Sequence, residues 1–269
     1  MSKERAATNL VKNVSSQKLA FIFALLTMGI SWTLWWAIVI GNQYGLLNFG
    51  TPIMMLFYVV GAMSPAIVAI ILTLKSKQMT GKKLVRTLCN FRQPLSLYLI
   101  IIVVAILYYI IPLIMNKATI IAPLYISIIS IPLEVFGGGL EEIGWRFYFQ
   151  PILEKKFNFT ISTIITAIVW AVWHLPLFFI AGTNQFTWSF FVFSILVLGI
   201  SFVLAAIYRT SKSVLLCILF HSVWNAIGDA IAVDMNFVSI ATISIIMIAI
   251  SFVLLRFFKK TISSSKKAR

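Results

Sequence analysis

Charge is scarce in this chain. Only 11% of its 269 residues are charged, against about 25% in a soluble globular domain, and just seven are acidic. With hydrophobic residues at 61%, that shortage excludes a soluble globular fold and leaves an all-α polytopic membrane protein. Cysteine is nearly absent too. Cys89 and Cys217 stand far apart, which excludes a disulfide framework and any CxxC redox or zinc motif. The net charge of +15 raises the question of nucleic acid, but the 22 Lys and Arg gather at the ends of apolar segments and not along one polar face. No nucleic-acid partner is expected. Nor is a cleavable signal peptide, because the first apolar run is too long for an h-region and lacks a small-residue cleavage site.

What is present is a series of apolar stretches, at about 18–40, 52–74, 95–115, 121–152, 161–181, 186–208, 213–233 and 237–258, each near or above the ~20 residues a bilayer requires. A transmembrane bundle over 18–258, of about eight spans, is therefore expected, with a catalytic core over about 121–233. It would be flanked by a basic segment over 1–17 and a basic tail over 259–269. The fourth stretch is too long for one upright helix; it must tilt, start late or break at Gly137-Gly138-Gly139. Alternate connections differ sharply in charge. One set holds Lys75, Lys77, Lys82, Lys83, Arg86 and Arg92, then Lys155 and Lys156, then Arg209 and Lys212, together with both basic ends; the other holds Lys117 alone. By the positive-inside rule both termini are expected in the cytoplasm of a multi-pass cell-membrane protein.

Within this apolar chain, Glu141-Glu142-Ile143-Gly144-Trp145-Arg146 stands out. A carboxylate at membrane depth costs about 2.5–3.5 kcal/mol, so an adjacent pair marks a functional site by default. On a helix Glu142 and Arg146 share a face at i, i+4 and would form an ion pair. Glu141 would point about 100° away, free to take a proton. Both histidines of the chain, His174 and His221, fall in apolar stretches, and His221 and Asn225 share a helix face. Measured from the cytoplasmic ends at ~1.5 Å per residue, Glu141 lies about 18 Å deep, His174 about 21 Å, His221 about 12 Å and Asn225 about 18 Å. Rare polar groups from three segments thus occupy one layer.

A carboxylate, two imidazoles and an amide at one depth suit acyl hydrolysis. The acid, assisted by a His, can deprotonate a water, and a His with an Asn can hold the oxyanion. Cys217 in apolar surroundings is a small buried hydrophobe and not a nucleophile. Glu134, two turns before Glu141, stands outside this core set; Asp229 and Asp234 are placed near the outer interface.

The pattern Glu141-Glu142-x-x-x-Arg146, then Trp170-x-x-x-His174, then His221-x-x-x-Asn225 resembles the CPBP family of intramembrane proteases, also called the Abi or CAAX protease family. The resemblance spans roughly residues 130 to 230. It implies a glutamate-dependent peptidase in which Glu141 is the general base, His174 helps position the water, Glu142 and Arg146 support the site, and His221 and Asn225 form the oxyanion hole. It further implies a membrane-associated peptide or protein substrate, with peptide processing or bacteriocin self-immunity among the roles.

Two other readings compete with it. A zinc-dependent protease could use the same His and Glu residues as ligands, but HExxH spacing is absent and Asn225 is a poor zinc ligand, so no cofactor is expected. A proton-coupled transporter or non-catalytic membrane partner could also carry buried Glu, His and Arg, yet it has no need of the His-x-x-x-Asn pairing.

Overall fold

The computed structural model describes residues 16–267, with side chains described through Phe257. Of the expected basic segment over 1–17, only Ser16 and Gln17 fall among the described residues, where they open the first helix. Of the expected tail over 259–269, only backbone through Lys267 is described, and it continues the last helix without a boundary.

Helix α1 (Ser16–Gln43) packs on α2 (Pro52–Lys75). The basic connection that follows holds a short helix, α3 (Gly81–Leu88), where Thr80 accepts a hydrogen bond from Lys83 N at 3.3 Å. Next come α4 (Leu95–Ile114) and a short strand, β1 (Ala118–Ile120). Beyond a broken segment containing α5 (Ile126–Ile129), α6 (Ile131–Gly137) and α7 (Gln150–Leu153) lie α8 (Phe159–Trp173), α9 (Phe190–Ser211) and α10 (Val214–Gly228). Strand β2 (Ile231–Val233) pairs antiparallel with β1, and α11 (Phe237–Lys267) closes the chain.

Among the described residues, six helices are long and apolar enough to cross a bilayer. Helix α10, with 15 residues, is shorter: at ~1.5 Å per residue it covers about 22 Å. The bundle keeps its apolar surface outward. Leu99, Ile102, Val103, Ile106 and Ile110 of α4 are all exposed, as lipid contact requires. Helix α9 is the most enclosed of the spans and packs on α8, α10 and α11. Polar ties also join helices. Trp173 Nε1 donates to Ser31 Oγ at 2.6 Å, and Ser31 Oγ lies 2.8 Å from the Gly61 carbonyl, linking α8, α1 and α2.

The fourth stretch is not a single span. Of the three possibilities open to it, the structure takes the break. The chain leaves α6 at Gly138 (φ −162°, ψ −36°), makes one 3₁₀ turn over Gly139–Glu141, and then widens into a π-helix over Ile143–Phe149. Three successive glycines favour this interruption, since helical order costs their backbone most. The break also admits a neighbour: a Cβ on Gly139 would lie 2.4 Å from Ser222 Oγ of α10. Irregular backbone at membrane depth persists only where protein encloses it, and Gly138, Gly139 and the run from Glu141 to Arg146 are all buried. On the far side, Gly144 lets the π-helix approach α2, where a Cβ would stand 2.4 Å from Pro65 Cβ.

Candidate active site

Glu141 closes the 3₁₀ turn and is buried, 5% exposed. Its carboxylate is held: Trp170 Nε1 of α8 donates to Oε2 at 2.8 Å. The sequence reading left this acid without a partner, and the structure corrects that. One oxygen is engaged by an indole N–H, which can position a carboxylate without neutralising it.

Glu142 does more than pair with Arg146. Its Oε2 lies 3.3 Å from Arg146 Nε, as i, i+4 spacing predicts, although the two are poorly aligned as a hydrogen bond. Its Oε1 meets His221 Nδ1 of α10 at 2.9 Å. Both Glu142 and Arg146 are fully buried. Arg146 also donates to Ser201 Oγ at 3.1 Å, and its guanidinium stands 5.1 Å from the centre of the Trp170 ring. The pair therefore forms a sealed layer behind the site, coupled to it through one imidazole.

The two histidines are fixed in different ways. His174 follows the last turn of α8, where Nδ1 sits 2.8 Å from the Trp170 carbonyl. A carbonyl only accepts, so Nδ1 carries the proton and Nε2 of the neutral ring is an acceptor. His221 Nδ1 faces the carboxylate of Glu142, which likewise leaves Nε2 as its free nitrogen.

A cavity of about 650 Å³ is lined by Glu141, His174, His221 and Asn225 together. These are four of the six residues singled out from the sequence, brought into one hollow by the 3₁₀ turn, α8 and α10. The other two, Glu142 and Arg146, do not line it. Glu134, placed outside the core set on sequence grounds, does line it, beside Asn225. Asp229 lines it as well, at the end of α10. Cys217 is fully buried, its Sγ 3.6 Å from the Leu204 and Ser213 carbonyls, as a small core residue would be.

Two residues escaped the sequence reading as parts of the site. Trp170 was noted for its motif position, but it touches Glu141, Arg146 and His174 as described, and its ring centre is 5.5 Å from that of His221. Gly138 was read only as a break. A Cβ there would lie 2.6 Å from Asn225 Nδ2 and 2.8 Å from His221 Nε2, so both nitrogens border the space its missing side chain leaves. The only signal available was a glycine run directly before paired acids in an apolar stretch.

Among the described residues no three His, Cys, Asp or Glu side chains are grouped closely enough to hold an ion. Glu141 Oε2, His174 Nδ1 and His221 Nδ1 are engaged by the Trp170 indole, the Trp170 carbonyl and Glu142, while Nε2 of each imidazole stays free.

Comparison with known proteins agrees with the motifs. Residues 123–227 match the family model described as type II CAAX prenyl endopeptidase Rce1-like. The chain is 26% identical to CAAX prenyl protease 2 of Methanococcus maripaludis over 265 residues, covering 87% of this chain and 92% of that protein.

Proposed function

We propose that this chain, a membrane protease of the CPBP or CAAX protease type, hydrolyses a peptide bond without a metal, using a water activated by Glu141. The carboxylate, oriented by Trp170, takes one proton as the water oxygen attacks the carbonyl carbon. His174 Nε2, an acceptor by virtue of its Nδ1 bond, holds the same water in line. Negative charge then develops on the carbonyl oxygen. Asn225 Nδ2 and His221 Nε2, which border the space beside Gly138, supply N–H groups to it.

For His221 to donate from Nε2 while Nδ1 donates to Glu142, the ring must be an imidazolium. Glu142 is its counter-ion, and Arg146 keeps Glu142 ionised in turn. The two imidazoles thereby take opposite parts, one accepting from water and one donating to the oxyanion. Collapse of the intermediate breaks the C–N bond, and Glu141 returns its proton to the leaving amine. Peptide processing and bacteriocin self-immunity, which the family resemblance implies, both call for such a peptidase.

The observation that carries this reading is the convergence of Glu141, His174, His221 and Asn225 on one cavity. It is tested by cleavage of candidate membrane-associated peptides, prenylated and unprenylated, by purified protein. Glu141→Gln is expected to abolish hydrolysis at unchanged abundance; retained hydrolysis refutes the assignment.

A further inference from the structure

Trp145 carries a polar group that the proposed chemistry leaves idle. Its indole is fully buried in the π-helix, with the rings of Phe23, Trp173 and Phe149 packed edge-on around it at centre distances of 5.6, 5.8 and 6.0 Å. Those rings fix its place and give its N–H nothing to bond, since the Trp173 Nε1 is itself a donor, to Ser31 Oγ. Trp145 Nε1 has no hydrogen-bond partner among the described residues. A buried indole N–H normally finds an acceptor, so this one calls for an explanation.

Chain geometry supplies it. Glu142 and Arg146, four residues apart, meet at 3.3 Å where the 3₁₀ turn passes into the π-helix. Glu141 and Trp145 repeat that spacing one residue earlier, and the two side chains interact. The acid is short of partners as well. Arg146 is held by Glu142 and Ser201, and among the described residues no Lys or Arg lines the cavity. Trp170 engages Oε2 alone, whereas a carboxylate can accept at both oxygens.

We propose that Trp145 is a second positioning residue for Glu141, so that two indole N–H groups, one from the π-helix and one from α8, hold the carboxylate and aim its remaining lone pairs at the water. This rests on the proposed role of Glu141 as general base. Neutral donors suit that role: they fix the acid without setting a full opposite charge against it, which would make it a weaker base.

The indole N–H can be read directly by nuclear magnetic resonance of the full chain in detergent, with isotope-labelled tryptophan. Trp145→Phe and Trp170→Phe each remove one indole signal and so identify it. Glu141→Gln exchanges a charged acceptor for a neutral one and is expected to move both signals upfield, with Trp170 as the internal standard. A Trp145 signal that stays in place overturns the proposal, whatever the activity. The kinetic arm uses Trp145→benzothienylalanine, which keeps the bicyclic ring and puts sulfur where the N–H was. Its kcat is expected to fall roughly 10-fold or more with KM and thermal unfolding unchanged. Wild-type kcat, or a loss of activity matched by a loss of stability, overturns the proposal. Glu141→Gln separates the two readings: hydrolysis that survives it removes the general base, whereas its loss alongside full kcat in the ring isostere removes Trp145 alone.

Discussion

Gly138→Ala adds one methyl group and no charge, yet it is expected to abolish most activity. The new Cβ would lie 2.6 Å from Asn225 Nδ2 and 2.8 Å from His221 Nε2, well inside the contact distance of a carbon and a nitrogen. One of the two must retreat. His221 is tethered at Nδ1 by the Glu142 carboxylate at 2.9 Å, so Asn225 is the group that yields. The methyl also fills the space in which the substrate oxygen would meet both donors. Loss of a single oxyanion donor lowers kcat by roughly 10²–10³, or about 2.7–4 kcal/mol. A fall of at least about 100-fold in peptide cleavage is therefore expected, with thermal unfolding in detergent little changed because the displaced Asn225 borders a cavity. Gly139→Ala provides the contrast. Its Cβ meets Ser222 Oγ and the Ile218 carbonyl at 2.4 and 3.0 Å, so α10 itself must shift and protein abundance should fall with activity. If Gly138→Ala cleaves within a few-fold of wild type at equal abundance, the oxyanion assignment of His221 and Asn225 is wrong.

Trp170→Phe keeps the ring and removes the N–H that meets Glu141 at 2.8 Å. A hydrogen bond to a charged group contributes about 1.5–3 kcal/mol, so kcat should drop roughly 10- to 100-fold with KM nearly unchanged; an unchanged kcat would show that the indole does not orient the acid. Glu142→Gln leaves the fully buried Arg146 without its carboxylate, and thermal unfolding should reveal a loss of about 3–5 kcal/mol. A variant as stable as wild type would mean that the ion pair is not what offsets burial of the guanidinium. Exhaustive dialysis against a chelator is expected to leave cleavage intact; activity that needs stoichiometric zinc would contradict the metal-free mechanism.

The spans were legible because apolarity over about 20 residues is a strong signal. Leu95–Ile114 and Phe190–Ser211 fall close to where apolar runs place them. The polar layer was legible for the converse reason: Glu141, His174, His221 and Asn225 are conspicuous in hydrocarbon, and spacing along helices gave their common depth. The broken fourth segment was not resolved, because 3₁₀ and π turns at Gly139–Glu141 and Ile143–Phe149 carry no hydrophobic period of their own. Helix spacing foretold the Glu142 to Arg146 pair but could not show that His221, 79 residues on, shares that carboxylate. Long-range partners of this kind depend on tertiary packing. Strands β1 and β2 were missed because three residues each is too short for an alternating pattern to register.

The sealed position of Glu142 and Arg146 bears on how the medium can act on this protein. Mobile ions reach only what water reaches, and neither side chain is exposed at all. Electrolyte can therefore shield a charged peptide as it nears Asp229 at the rim, yet it leaves the potential that these two groups impose on His221 untouched. Ionic strength should act on capture of substrate and not on the bond-breaking step.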